Sequence, residues 1–225
     1  MTTSDESAID IAPLMLAVDT PMATVIATMA KTRSSCVLVL EQQQLVGIFT
    51  ERDLVRAISR QEEIAHLTLA DLMTENVICI SDIEAQNIFA VSRLFSQHGI
   101  RHLPVTKEGH VLGVITPLSL RNLLKPEYLL RYIRVAEVMQ RQVVMVNPDD
   151  SVQDVVRRMA AAKVSCVVVI EPKSQQPQGV VTEYDIVRLK SLGTNFDTTA
   201  VKWIMSSPVH SQDLRISPKL ARFVN

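Results

Sequence analysis

Gly47-Ile48-Phe49-Thr50-Glu51-Arg52-Asp53 sets a glycine and two apolar residues ahead of a Thr-x-x-Asp string. The pattern returns at Gly113-Val114-Ile115-Thr116-Pro117-Leu118-Ser119 and at Gly179-Val180-Val181-Thr182-Glu183-Tyr184-Asp185, with a constant period of 66 residues. A second marker keeps the same step: Met73, Met139 and Met205 each end a short tetrad, beginning at Ala70, Ala136 and Lys202. Two independent markers in register identify an internal repeat.

Reading outward from the third copy gives the order of elements. Val135 to Met139 reads as a short helix, and Val143-Val144-Met145-Val146 as a strand. Asn147-Pro148-Asp149-Asp150-Ser151 makes a turn and caps a helix whose apolar positions Val152, Val155, Val156 and Met159 have helical spacing. A β-branched run from Val164 to Ile170 follows, then a polar loop through Pro172 and Pro177, a strand over Gly179 to Val181, and a helix from Thr182. The order is strand, helix, strand, strand, helix. A helix between the first two strands allows a parallel crossover, and a short polar loop between the last two suits a hairpin. The fold class is α/β (α+β) with small mixed sheets. One unit of this size buries too little apolar surface to stand alone, so neighbouring units are expected to pack in pairs.

Composition narrows the rest. Hydrophobic residues make up 47% of the chain but aromatics only 4%, so the core must be built from Val, Ile, Leu and Met. The formal charge of −1 supplies no general field for DNA or RNA, so an anionic partner must be caught by a local site. Apolar runs such as Cys36 to Leu40 are far shorter than the roughly 20 residues that cross a bilayer. The polar, acidic start from Met1 to Ser7 lacks the features of a signal peptide, and a cytoplasmic location is expected. Cys36, Cys79 and Cys166 lie inside apolar runs and read as small buried hydrophobes in a reducing compartment.

Units of this order that end in Gly-h-h-Thr-x-x-Asp resemble CBS (cystathionine-β-synthase) domains. The middle strand Gly99-Ile100-Arg101-His102-Leu103-Pro104-Val105 also matches that family's pattern. The resemblance covers residues 10 to 210. It implies tandem repeats docked about a pseudo-twofold axis as Bateman modules, with clefts that hold adenine nucleotides. The expected organisation is a disordered tail at 1–9, repeat one at 10–65, repeat two at 66–124, a linker at 125–134 and repeat three at 135–192. The truncated start of a fourth repeat is expected at 200–225. Repeats one and two should form one module and repeat three should pair with the incomplete fourth. The stretch from Leu124 to Met139 further resembles the linker in the CBS array of cyanobacterial multi-sensor histidine kinases, which implies a kinase or another effector as a partner.

The Thr-x-x-Asp strings have two readings. As capping boxes, Thr50 and Asp53 would close the start of the helix carrying Leu54, Val55 and Ile58. As a ligand site, the same helix start offers free N–H groups for phosphate, and a carboxylate accepts from both ribose hydroxyls. The resemblance assigns ribose to Asp53 and Asp185, with Thr50 and Thr182 beside them. Repeat two keeps Thr116 but has Ser119 in place of the acid, a weaker acceptor. The resemblance places Arg101 and His102 at phosphate, to which Arg and His⁺ form strong charge-assisted bonds; an alternating strand with one side chain outward and one inward is the plain alternative. Arg52 is a further candidate, with a solvated first-turn residue as its plain alternative. The five histidines show no metal-ligand spacing, and no Walker A string, nucleophile elbow or paired catalytic carboxylates occur. The expectation is a non-catalytic sensor of AMP, ADP or ATP, with a homodimer as its assembly. A dimerisation scaffold with empty clefts is the alternative.

Overall fold

The computed structural model describes residues 9–10, 12–123 and 142–207. The expected tail (save Ile9), the linker at 125–134, the leading helix of repeat three with Met139, and 208–225 of the fourth repeat lie outside those residues.

Three sheets of three strands follow one another along the chain. Unit one comprises β1 (Met15–Ala17), α1 (Met22–Thr32), β2 (Cys36–Glu41), β3 (Gln44–Thr50) and α2 (Glu51–Ser59). Unit two is led by the short α3 (Leu69–Leu72). It continues with β4 (Ile80–Ser81), α4 (Ile88–His98), β5 (Leu103–Lys107), β6 (His110–Ile115) and α5 (Pro117–Leu123). Unit three has β7 (Met145–Val146), α6 (Val152–Ala162), β8 (Cys166–Ile170), β9 (Pro177–Thr182) and α7 (Glu183–Ser191). In each, the first two strands pair in parallel and the last two antiparallel, the order read from the sequence. The ladder slips by one residue at the same point of every hairpin: Val39/Leu40, Val105/Thr106 and Val169/Ile170. The helix before each hairpin ends on a left-handed residue, Arg33, Gly99 or Lys163. Each turns the chain sharply into the next strand.

In units one and three the recurrence of glycine and methionine has one cause. The edge of β3 is closed by the segment after α3, through a bridge between Ile48 and Thr74. That approach sets Met73 against Gly47, where a side chain would collide with its sulfur. Unit three repeats the device with Val180 bridged to Ser206 and Met205 against Gly179. In unit two the place is taken by the N-terminal segment, Asp10 bridging Val114 beside Gly113. Residues 68–74 therefore close unit one. Residues 200–206, the expected start of a fourth repeat, pack back on unit three through Val201 N to Asp150 O and Ser206 N to Val180 O, both 2.9 Å.

Pairing follows two different surfaces. Units one and two meet along β3 and β6 and through the Asp10–Val114 bridge. Unit three docks by its helices on the helices of unit one, α7 against α1 and α6 against α2. The main core therefore runs through units one and three, from Met22, Val25, Met29, Leu54 and Val55 to Val152, Val155, Val156, Met159 and Ile186. Unit two keeps a smaller core of its own around Val91, Leu103, Val105 and Ile115. At this helical surface the neighbour of unit three is unit one. Helical spacing marks an apolar face but carries no information about which unit will cover it. Gln153, buried in this interface, donates to Ile58 O at 3.3 Å.

The cysteines depart from expectation: Cys36 is buried, but Cys79 and Cys166 are exposed. Cys36 and Cys166 begin equivalent strands. Cys36 and Leu38, on one face of unit one's sheet, are buried, whereas their equivalents Cys166 and Val168 in unit three are exposed and half-buried.

Gly179→Ala tests the packing device. Its Cβ would lie 2.6 Å from Met205 Sδ and 2.8 Å from Met205 Cγ. Overpacking of this kind costs about 1–3 kcal/mol. The loss, read from urea unfolding, should shrink when Gly179→Ala is made in a Met205→Ala background. An equal loss in both backgrounds would contradict the steric cause.

Candidate functional site

Thr50 stands where β3 ends and α2 begins, in extended conformation, so its side chain turns back over the first helical turn. Its N–H and hydroxyl both donate to Asp53 Oδ2, at 2.9 and 2.7 Å, and its Oγ1 accepts from Asp53 N at 3.4 Å. The other carboxylate oxygen accepts from Arg56 at 3.1 Å. Thr182 and Asp185 repeat the box at the start of α7, with 2.8, 2.7 and 3.4 Å. In unit two, Ser119 Oγ accepts from Thr116 N at 2.9 Å, and Ser119 N donates back to Thr116 Oγ1 at 3.1 Å. Ser119 therefore keeps the cap but not the charge. A further box, Thr68 with Asp71, closes the start of α3 and was not singled out in the sequence.

The first and second units meet over a cavity of about 170 Å³. Thr50, Arg52, Asp53 and Arg56 line it from the start of α2, with Ile48 and Thr74 at the edge of β3. Gly99, Ile100, Arg101 and His102 line it from the turn between α4 and β5. The structure thus brings together five of the sequence candidates, from two units. Arg56, Ile48, Thr74, Gly99 and Ile100 are additions; Arg56, one helical turn after Arg52, was the one with a readable signal. Thr116, Thr182 and Asp185 lie at other helix starts and do not line this cavity.

The charges are not those expected. His102 Nε2 is 2.8 Å from Ser35 Oγ, across the contact between the two units. Burial, then the charges of Arg101 and Arg52, push its pKa down to about 4. At neutral pH its imidazole is therefore uncharged in this structure, not the His⁺ expected at phosphate. The basic pair therefore brings one positive charge, not two.

Arg101 and Arg52 converge on a single acid from the third unit. Glu183, its side chain only 3% exposed, accepts from Arg101 at 2.5 Å and from Arg52 Nε at 3.4 Å. One carboxylate so ties the second and first units to the third. Glu51, the residue equivalent to Glu183, sits close by. Burial first, then Glu183 and Asp185, push its pKa up to about 7 against the opposing pull of Arg101. On the far side of Arg52 a second cavity of about 310 Å³ opens between α2 and α6, lined by Arg52, Arg56, Lys163 and Glu183 above Val55, Met159, Ala160 and Val164. Among the described residues no group of His, Cys, Asp and Glu could hold a metal ion, and no helix is long and apolar enough to cross a membrane.

Comparison with known proteins follows the repeat. The model of the CBS domain family matches residues 8–60, 69–125 and 135–191. Protein MJ1225 of Methanocaldococcus jannaschii is 24% identical over 162 residues, 67% of this chain and 56% of that protein. Its crystal structure, described as that of a proposed archaeal homolog of g-AMPK, superposes with a TM-score of 0.73 at 16% identity, covering 89% of this chain and 81% of that one. An uncharacterized conserved protein from Pyrococcus horikoshii superposes with a TM-score of 0.58 at 14% identity, covering 91% and 78%. The mitochondrial CBS domain-containing protein CBSX3 of Arabidopsis thaliana is 35% identical over 77 residues, 34% of this chain and 37% of that protein. The chain spans about half the length, or less, of the curated relatives it matches. The structural likenesses, at these identities, concern the fold alone.

Glu51 yields a pH test. Its folded pKa lies above the ordinary 4.5, so the native state holds a proton that the unfolded chain releases between pH 4.5 and about 7. Stability from this group therefore falls as pH rises through that window. Glu51→Gln is neutral throughout, so its melting temperature should gain on the parent from pH 5 to pH 8. The contribution of His102 is common to both proteins and drops out of the difference. A gap independent of pH would contradict the assignment.

Proposed function

The chain belongs to the CBS domain family, and from that premise we propose that it is a non-catalytic sensor of an adenine nucleotide. The ligand occupies the cavity between units one and two. Its ribose lies on Asp53 beside Thr50, and its phosphate reaches Arg52, Arg101 and the N–H groups that open α2. His102 contributes a neutral ring held by Ser35. The observation that carries this reading is the convergence of an acid and a helix start from one unit with an arginine from the next on a single cavity. A carboxylate at one end and cations at the other match the two ends of a nucleoside phosphate.

Thr182 and Asp185 offer a second site of the same type, and Thr116 with Ser119 a poorer one that lacks the acid. AMP, ADP and ATP all satisfy this chemistry. The signal passes to an effector, such as a histidine kinase, in the cytoplasm, and the chain works as a homodimer. Binding biases the effector only through different affinities for two states of the module.

A second reading is favoured by one observation: both carboxylate oxygens of Asp53 are already engaged, by Thr50 and Arg56. On that reading the string is a cap, the clefts stay empty, and the repeats serve as a dimerisation scaffold.

Calorimetric titration with AMP, ADP, ATP and a dinucleotide, repeated on Asp53→Ala and Ser119→Asp, separates the two. The sensor reading expects Asp53→Ala to lose charged bonds worth about 1.5–3 kcal/mol, roughly ten- to hundredfold in affinity. Unchanged affinity together with a lowered melting temperature leaves only the cap. No binding by the parent, with a light-scattering mass well above 25.1 kDa, selects the scaffold.

A further inference from the structure

Glu183 is the second residue of the third Thr-x-x-Asp string, a position that in an isolated helix faces water. Here its carboxylate is enclosed, and its two oxygens take one bond each from Arg101 and Arg52. Those arginines belong to different units, and both line the cavity between units one and two. Glu183 itself does not line that cavity. It reaches the guanidinium groups from the side of the third unit, where it borders the larger cavity under α6.

We propose that Glu183 is an internal competitor for the ligand's phosphate, and so couples occupancy of the cleft to the seating of unit three. The proposal rests on the nucleotide reading of that cleft. A carboxylate and a phosphate use the same planar donors of arginine, and a phosphate brings more charge and more acceptor oxygens. A phosphate that draws Arg101 and Arg52 toward the cleft strips Glu183 of the bonds that offset its burial. An enclosed carboxylate without partners is unfavourable. Relief comes from proton uptake or from withdrawal of the start of α7. That helix packs against both α1 and α2, so its withdrawal loosens the seam between units one and three. By linkage the coupling works in both directions: whatever holds unit three down weakens the ligand.

The test compares AMP with adenosine, which lacks the phosphate, on the parent and on Glu183→Gln. The amide keeps the shape but not the charge. Removing the competitor should tighten AMP by about five- to a hundredfold, the usual range of coupling between sites, and leave adenosine within about twofold. A change equal for both ligands would mark a merely structural role and overturn the proposal. So would weaker AMP binding, which would make Glu183 a positioning residue that holds the arginines ready. Failure of both proteins to bind either ligand would remove the cleft reading itself, and the competition with it. Hydrogen exchange on the parent needs no variant: AMP should speed exchange in Glu183–Ser191, adenosine should not, and slower exchange there with AMP would overturn the proposal.

Discussion

Met22, Val25, Ile26 and Met29 of α1, with Leu54, Val55 and Ile58 of α2, are closed off from water by α6 and α7 of the third unit. A sheet of three short strands with two helices on one side has two apolar surfaces to cover. Unit one covers both: unit two lies along its sheet, and unit three lies over its helices. The burial of a Val, Leu, Ile or Met side chain is worth about 1.5–3 kcal/mol, so this helix-to-helix seam is the largest single source of cohesion between units. Unit one is therefore the hub, and any change in how it holds either neighbour is felt by the other.

Electrostatics follows from that placement. The start of α2 points at the junction of all three units, so Arg52 lies between the cleft shared with unit two and the seam shared with unit three. Glu183 meets it there, together with Arg101. In water such pairs contribute little, but at 3% exposure the carboxylate depends on its partners. The crowding of acids and arginines also shapes the neighbours. Glu51 is raised toward neutrality, and His102 is kept uncharged. The cleft is consequently less basic than its residue types suggest, and two of its arginines, Arg52 and Arg101, are held by a carboxylate of unit three.

The period of 66 residues, the order of elements and the caps at Thr50, Ser151 and Thr182 were legible, because each depends on local spacing and local hydrogen bonds. The docking of units one and two was expected from the resemblance of the repeats to a family whose units pair, and it is this docking that sets Thr50, Arg52 and Asp53 around one cavity with Arg101 and His102. What stayed hidden depends on contacts far apart in sequence. Arg52 and Glu183 are 131 positions apart and Arg101 and Glu183 are 82 apart, and no periodicity predicts that three helix starts or turns will converge. The neutrality of His102 comes from enclosure and from two guanidinium groups, neither visible in a strand pattern. Cys166 and Cys36 occupy equivalent strand positions, yet one is exposed and the other buried, a difference that depends on what packs against each sheet and not on the strand itself. The recurrence of Gly47 and Gly179 was visible at once, whereas its cause, a methionine packed where a side chain would stand, was not.

Native-state hydrogen exchange with increasing denaturant tests the hub most directly. The amides of Val37–Val39 in unit one and of Val167–Val169 in unit three should open together, at one free energy and with one denaturant slope, because they share a core. The amides of Leu103 and Val105 in unit two should open at a lower free energy, since that unit's core is small and separate. Independent opening of Val37–Val39 and Val167–Val169, with Leu103 and Val105 following unit one, would contradict the shared core and return the cohesion of the chain to the pairing of its first two units.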